Sequence, residues 1–450
     1  MADHPQPILE VAGFLADPVD AADFPQTRLR FRNDRAAGEI GLDTLSDDDW
    51  LRHFGRFAPL PGNLPQPLAL RYHGHQFRSY NPDIGDGRGF LFAQLQDQGG
   101  RWLDLATKGS GQTPYSRFGD GRLTLKGGVR EILATEMLQA LGVNTSRTFS
   151  LIETGEQLER GDEPSPTRSA VMVRMSHGHI RIGSFQRLAY LRLEDELRRL
   201  TDYSLRTYFG SASGDPAELV RHVVEGTARL AASYMAAGFV HGVLNTDNIN
   251  ITAESFDYGP WRFAPTFDPS FTAAYFDHAG LYAFGRQAEA IQWDVVQLAG
   301  ALRTITDVDA LIVELDRFGP LYRDALVERF LWRLGVQPRG GEEDIKLVAA
   351  IEQGLIGSGL PLDHFFFDRA GGQQRGDDAP YRHEAFADFR EQVARYSPAR
   401  ALDHIYWQGE PCSMHIEEVE AIWAPIAESD DWSRLEAKVE RIREMGEALA

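Results

Sequence analysis

Of 450 residues only one is cysteine, Cys412. That excludes a disulfide within the chain and any zinc site built from cysteines. Long hydrophobic runs are also missing: none approaches the ~20 apolar residues that span a bilayer. The opening MADHPQPILEVAGFLADPVD has neither the basic start nor the apolar centre of a secretory signal. Positive charge is in deficit, with 46 Lys and Arg against 66 Asp and Glu and a net charge of −20. A surface of that sign repels nucleic acid and anionic membrane, so neither is expected as a partner. Repeats and low-complexity tracts are absent. The 13 histidines show no short spacing with acidic neighbours that suggests a metal site; His73 and His75, alternating with Tyr72 and Gly74, read as hydrogen-bonding or surface groups. The expectation is a soluble, cytoplasmic protein, and 43% hydrophobic residues are enough for a sizeable core.

The pattern changes along the chain. Residues 1–70 carry scattered prolines, as in Pro59-Leu-Pro-Gly-Asn-Leu-Pro-Gln-Pro67, and read as an irregular N-terminal extension. Residues 71–185 read as a β-rich lobe: 89–95 and 102–108 are strand-like around an Asp97-Gln98-Gly99-Gly100 turn, and 148–152 and 169–174 follow. A helix is expected over 129–141, with apolar residues at 129, 132, 133, 137, 140 and 141 on one stripe and Gly142 as its stop. Residues 186–340 read as a helical lobe, with long helices over 217–237 and 288–306. Residues 341–450 read as a helical C-terminal extension, with helices near 343–355, 383–396 and 415–448 and a Gly/Asp-rich linker at 370–379. The class is α+β, a protein-kinase-like two-lobed fold with N-terminal and helical C-terminal extensions.

Chemistry concentrates between the two long helices. His241-Gly-Val-Leu-Asn-Thr-Asp-Asn248, then Asp257-Tyr-Gly259, has the layout of a kinase catalytic loop and metal-binding aspartate. Kinases place an aspartate two residues after the histidine to receive the proton of the attacking hydroxyl. Here that position is Val243, which accepts no proton. Asn248 and Asp257 occupy the metal-ligand positions, and Asp247 is an additional carboxylate beside Asn248.

Upstream, Asp83-Ile-Gly85-Asp-Gly87-Arg88-Gly89 offers backbone amides and a cation to phosphate, although Gly-Asp-Gly also describes an ordinary turn. Lys108 ends a strand where a kinase lysine reaches phosphates. Glu131, expected on the first turn of the next helix, can hold it by an ion pair. The segment 108–122, KGSGQTPYSRFGDGR, is richer in glycine than a plain connection needs, which suits close approach of backbone to a ligand. Arg174 and Arg181 flank Met-Ser-His-Gly-His-Ile and can either clamp a polyphosphate or form structural ion pairs. Each residue alone is consistent with a solvated charge; their shared order is what argues for a nucleotide site.

These segments together resemble the selenoprotein O family, pseudokinases that transfer AMP to proteins. The match is carried by Gly85–Gly89, Thr107–Arg122, His179–Phe185, His241–Asn248 and Asp257-Tyr-Gly-Pro260, between about 70 and 300. The resemblance implies ATP as substrate, bound flipped relative to kinases, with its β- and γ-phosphates buried. Lys108, held by Glu131, would contact the phosphates with Arg174 and Arg181. Gly85, Gly87, Arg88, Asp120, Gly121 and Asp257 would complete the nucleotide pocket. Asn248 and Asp257 would bind Mg²⁺ or Mn²⁺, and Asp247 would accept the proton of a Ser, Thr or Tyr hydroxyl on a protein substrate as pyrophosphate leaves. Two departures stand out. The ending Glu-Met-Gly-Glu-Ala-Leu-Ala has no cysteine or selenocysteine, and the region after about 340 is expected to diverge from the family. A kinase using Asp247 as a displaced base and a non-catalytic nucleotide-binding scaffold are the competing readings.

Overall fold

The sheet begins earlier than the proline content of residues 1–70 suggests. A computed structural model describes residues 6–161 and 163–450; residues 1–5 of the N-terminal extension and Asp162 of the 71–185 stretch lie outside the described residues. The stretch expected as irregular contains helices α1 (Ala12–Leu15), α2 (Asp34–Glu39) and α3 (Asp47–Phe54), and strands β1 (Ala16–Pro18), β2 (Arg28–Arg32) and β3 (Leu68–Leu70). β2, Arg-Leu-Arg-Phe-Arg, lacks an apolar run because it is an edge strand, where charge discourages further pairing. Its Arg30 donates to Glu153 at 2.7 Å.

A small hairpin of β4 (Gly74–Gln76) and β5 (Ser79–Asn81) follows, then β6 (Leu91–Gln96), β7 (Trp102–Lys108) and β8 (Leu123–Thr124). Helix α4 (Leu125–Ala140) leads to β9 (Arg147–Leu158) and β10 (Thr167–Ser176). The antiparallel sheet runs β1-β3-β6-β7-β10-β9-β2, with β8 on β10. Helix α4 starts four residues before the expected boundary. Thr124 caps it, its Oγ1 accepting from Gly127 N at 3.1 Å, so Glu131 lies in the second turn rather than the first.

The helical lobe comprises α5 (Ile182–Tyr190), α6 (Glu194–Phe209), α7 (Pro216–Ala237), the two-stranded β11 (Phe239–Val240) and β12 (Arg262–Phe263), α8 (Gln287–Leu302), α9 (Val308–Leu315) and α10 (Phe318–Leu334). Local chemistry sets α7 at both ends. Asp215 Oδ1 accepts from Ala217 N at 2.9 Å, Pro216 opens the first turn, and Gly238 at φ 71° closes the last. The fold is α+β, a sheet-rich N-terminal lobe followed by a helical C-terminal region. No described helix is long and apolar enough to cross a membrane.

The C-terminal extension contains α11 (Gly341–Ser358), α12 (Leu362–Asp368), α13 (Ala387–Val393), α14 (Ile416–Ser429) and α15 (Ser433–Leu449). Two expectations are corrected here. The helix over 383–396 shrinks to α13 behind a 3₁₀ turn at Glu384–Phe386. The helix over 415–448 is two helices, broken at Asp430, which adopts φ 55°. Asp430 is held in that turn by Arg30 (2.8 Å), Arg168 (2.7 Å) and Trp432 (3.0 Å). α15 packs on α4, with Gly446 against Ala140, and adds a bidentate pair between Arg443 and Glu136 at 2.6 and 2.8 Å.

Segment 177–182, which joins the lobes, is laced to residues 249–254 just after the 241–248 loop. Asn250 Nδ2 donates to Gly178 O (2.6 Å), Ile251 N to Ile180 O (3.0 Å) and Ile182 N to Ile249 O (3.0 Å). Glu254 completes the lacing by accepting from His177 N at 2.7 Å. Burial raises the Glu254 carboxyl from 4.5 to about 7, against the His177 bond and the cations Arg147 and Arg101. A raised folded-state value means stability present below pH 4.5 and lost as pH climbs through about 7. Glu254→Gln lacks that loss. Its stability relative to wild type is expected to grow by on the order of 3 kcal/mol across that window, measured by denaturant unfolding at stepped pH. A pH-independent difference would sink this assignment.

Candidate active site

The glycine segment and the long loop after Lys108 fold onto each other as two walls of one cleft. Gly85 and Gly87 are required by this closeness: a Cβ at Gly85 would sit 2.5 Å from the Tyr115 ring, and one at Gly87 2.9 Å from Tyr115 O. Ser116 Oγ donates to Gly87 O, and Thr113 Oγ1 donates to Asp86 O. The far end of the loop is fixed by Arg160, whose guanidinium holds Asp120 at 2.8 and 3.1 Å. Arg122 grips Glu156 at 2.9 Å. The cleft between these walls and the helical lobe has a volume of about 620 Å³.

The cleft's deep end is cationic. Lys108, at the end of β7, forms a buried ion pair with Glu131 on α4 and a second with Asp257 Oδ1 at 2.8 Å. Arg174 Nη1 reaches the same oxygen at 3.4 Å. Arg181 lies between the rings of Tyr72 and Phe256, 4.4 and 4.8 Å from their centroids, and donates to Asp86 Oδ1 at 3.1 Å and to the Asp247 backbone O at 2.9 Å. Burial pushes the Asp257 carboxyl up, but Lys108, Arg174, Arg181 and Arg88 outweigh it and hold the group well below the usual carboxylate range. Asp257 takes φ 62°, a conformation Asp adopts more readily than most residues. Cations outnumber carboxylates along the cleft wall, which suits a polyphosphate.

The 241–248 loop is organised by buried polar bonds. His241 N donates to Gln287 Oε1 (3.0 Å) and its Nε2 meets Phe256 O (2.9 Å). Tyr282 OH donates to Asn245 Oδ1 at 2.7 Å. Asp247 sits in a 3₁₀ turn at Thr246–Asn248 and is buried, with Oδ1 making no hydrogen bond. Burial raises its carboxyl to about 6, and Arg181 opposes the rise. Asn248 Nδ2 donates to Val243 O at 3.0 Å, which fixes the amide and leaves Oδ1 as a free acceptor.

Gly85, Gly87, Arg88, Lys108, Asp120, Gly121, Arg174, Arg181, Asp247 and Asp257 all line this one cleft. Glu131 stands behind Lys108 rather than on the wall. Asn248 is next to Asp247 but is also not a wall residue. Asp120, expected against the nucleotide, has its carboxylate engaged by Arg160. Tyr72, Gln76, Tyr115, Phe118 and Arg160, which the sequence gives no site role, share the wall. Phe118 carried a signal, an aromatic residue inside a Gly-rich polar loop; Gln76 carried none, since its place depends on where a distant hairpin docks.

Comparison with known proteins places the chain. The family model described as protein adenylyltransferase SelO matches residues 3–443. The protein nucleotidyltransferase YdiU of Synechococcus elongatus is 44% identical over 471 residues, covering 97% of this chain and 94% of that protein. The proteins of the same name from Synechocystis sp. and Gloeobacter violaceus are 42% and 44% identical, covering 97% and 95% of this chain and 97% and 92% of theirs. The kinase domain of a Toxoplasma gondii specific rhoptry antigen aligns with TM-score 0.27 and 11% identity over 59% of this chain, too loosely to compare sites. Likeness to the family therefore extends beyond 300 and through the C-terminal region that was expected to diverge. The chain belongs to the protein adenylyltransferase SelO family.

Proposed function

We propose that this chain transfers AMP from ATP to Ser, Thr or Tyr hydroxyls of proteins and releases pyrophosphate. One observation carries this reading. A single cleft pairs a deep cation cluster with a buried Asp247 carboxylate whose Oδ1 makes no hydrogen bond, while Val243 stands where a kinase keeps its base. Lys108, Arg174 and Arg181 neutralise the two outer phosphates, and the α-phosphate is left facing Asp247. Asp247 takes the proton as the acceptor oxygen bonds to the α-phosphorus. The bond from that phosphorus to the pyrophosphate oxygen breaks, and the cations hold the departing group. The names of the relatives, protein nucleotidyltransferases, support transfer of a nucleotidyl group to protein.

The donor set fits Mg²⁺ or Mn²⁺, since Asn248 offers a free amide oxygen and Asp257 a carboxylate partly exposed to the cleft. Among the described residues no three His, Cys, Asp or Glu side chains form a complete cation site, so substrate oxygens would fill the shell. When bound, the ion would neutralise phosphate charge. Asp257 and Asn248 would hold it, Lys108 orienting Asp257 and the Val243 carbonyl orienting Asn248.

The test is labelling from two ATP isotopomers in parallel with Mg²⁺. Stable protein label from the α-position and none from the γ-position is expected. Label from the γ-position would establish a kinase with a displaced base, and binding without label would establish a scaffold.

A further inference from the structure

The hairpin of β4 and β5 stands apart from the main sheet and docks on the 241–248 loop. His75 N donates to Thr246 Oγ1 at 2.7 Å, and Phe77 N donates to Asn245 Oδ1 at 3.0 Å. Thr246 Oγ1 donates to Gln186 Oε1 (2.7 Å), and Gln186 Nε2 meets His75 Nδ1 (2.7 Å), which closes a ring of bonds. The turn between the strands, Phe77-Arg78, has both residues at positive φ, 50° and 62°. A two-residue turn of that kind normally takes Asn or Gly; a bulky aromatic there is held by its surroundings. Phe77 is held by the rings of Tyr282 and Phe276, 5.1 and 5.8 Å away.

Two residues of this hairpin face Asp247 itself. A Cβ at Gly74 would lie 2.9 Å from Asp247 Oδ1 and 3.0 Å from Asp247 Cβ, with Ile84 Cδ1 behind at 3.1 Å, so the carboxylate occupies the space glycine leaves. Gln76 lines the same cleft. Asn81 Nδ2 donates to Gln76 Oε1 at 3.0 Å, which engages the amide oxygen, and the Gln76 side chain hydrogen-bonds the Asp247 carboxyl and opposes the rise that burial gives it. We infer that Gly74 and Gln76 are positioning residues for the Asp247 carboxylate and that the hairpin is the wall setting its aim at the acceptor hydroxyl. This rests on Asp247 being the base, as proposed above.

Full-length Gly74→Ala, Gln76→Leu and Asp247→Ala would be compared with wild type for α-label transfer at saturating ATP and Mg²⁺, for ATP affinity by calorimetry, and for Tm. A carboxylate displaced by the clash, or left free to rotate, is expected to lower kcat ~10- to 100-fold in both hairpin variants, with ATP affinity within about twofold of wild type. A purely structural hairpin predicts instead that kcat and ATP affinity fall together, and that result would overturn the inference. So would kcat within about twofold of wild type in Gln76→Leu, the variant that introduces no clash. An inactive Asp247→Ala beside fully active hairpin variants rejects the hairpin alone. An Asp247→Ala enzyme at wild-type rate rejects the base assignment, and the hairpin role with it.

Discussion

Asp247→Ala is expected to lower nucleotidyl transfer by ~10²–10⁴-fold, the usual contribution of a positioned general base. ATP affinity should hardly change, and the structure gives the reason. The side-chain Oδ1 makes no hydrogen bond, and the Gln76 amide that faces the carboxylate is not one of the cations at the deep end of the cleft. The bond that ties this residue to Arg181 uses the Asp247 backbone oxygen, which alanine keeps. The cations proposed to face the phosphates therefore stay in place while the proposed proton acceptor is lost. The check is a single-turnover rate with α-labelled ATP beside a calorimetric Kd. A wild-type rate would show that another group takes the proton. A large loss of ATP affinity would show that Asp247 organises the nucleotide pocket instead.

Lys108→Met should cost both stability and activity, for separable reasons. The Lys108 and Glu131 side chains are 5% and 2% exposed, so methionine would leave Glu131 buried opposite no cation. Removing one partner of a buried pair costs ~3–5 kcal/mol because the other charge is stranded. Asp257 suffers less, since Arg174 still reaches it. Adding Glu131→Gln removes the stranded charge. The double variant is expected to recover most of the lost stability in denaturant titrations while transfer stays abolished, because no ammonium remains for the phosphates. If the double variant regains transfer, Lys108 serves only to balance Glu131 and its phosphate role is wrong. If it regains no stability, the destabilisation of the single variant comes from packing and not from stranded charge.

Much of the fold was legible because its signals are local. The expected 102–108 and 217–237 match β7 and α7 within one residue, and the structure shows why for α7: an Asp-Pro start and a Gly stop set its ends from within a few positions of each boundary. The start of α4 was misplaced by four residues because a Leu-Lys-Gly-Gly first turn resembles a loop; the Thr124 cap and burial of Leu125 in the core override it. Strand β2 was missed because five residues rich in arginine look solvated. They become a strand when Arg30 pairs with Glu153 and with Asp430, a partner 400 positions away. The same Asp430 breaks what 415–448 alone presents as one continuous helix.

By itself the sequence determined the class of fold, the order along the chain of the residues proposed to face phosphate and metal, and the absence of an aspartate at 243. Each is a matter of residue identity and short spacing. Only the tertiary structure decided that the 109–122 loop folds back over Gly85–Gly89, that Lys108 meets Glu131 and Asp257 at once, and that Gly74 and Gln76 stand against Asp247. Those contacts join segments 23 to 173 positions apart, and their geometry is set by the packing of α4 on the sheet and by the hairpin's docking. Local periodicity carries no term for such distances; burial and the need to satisfy buried polar groups supply it.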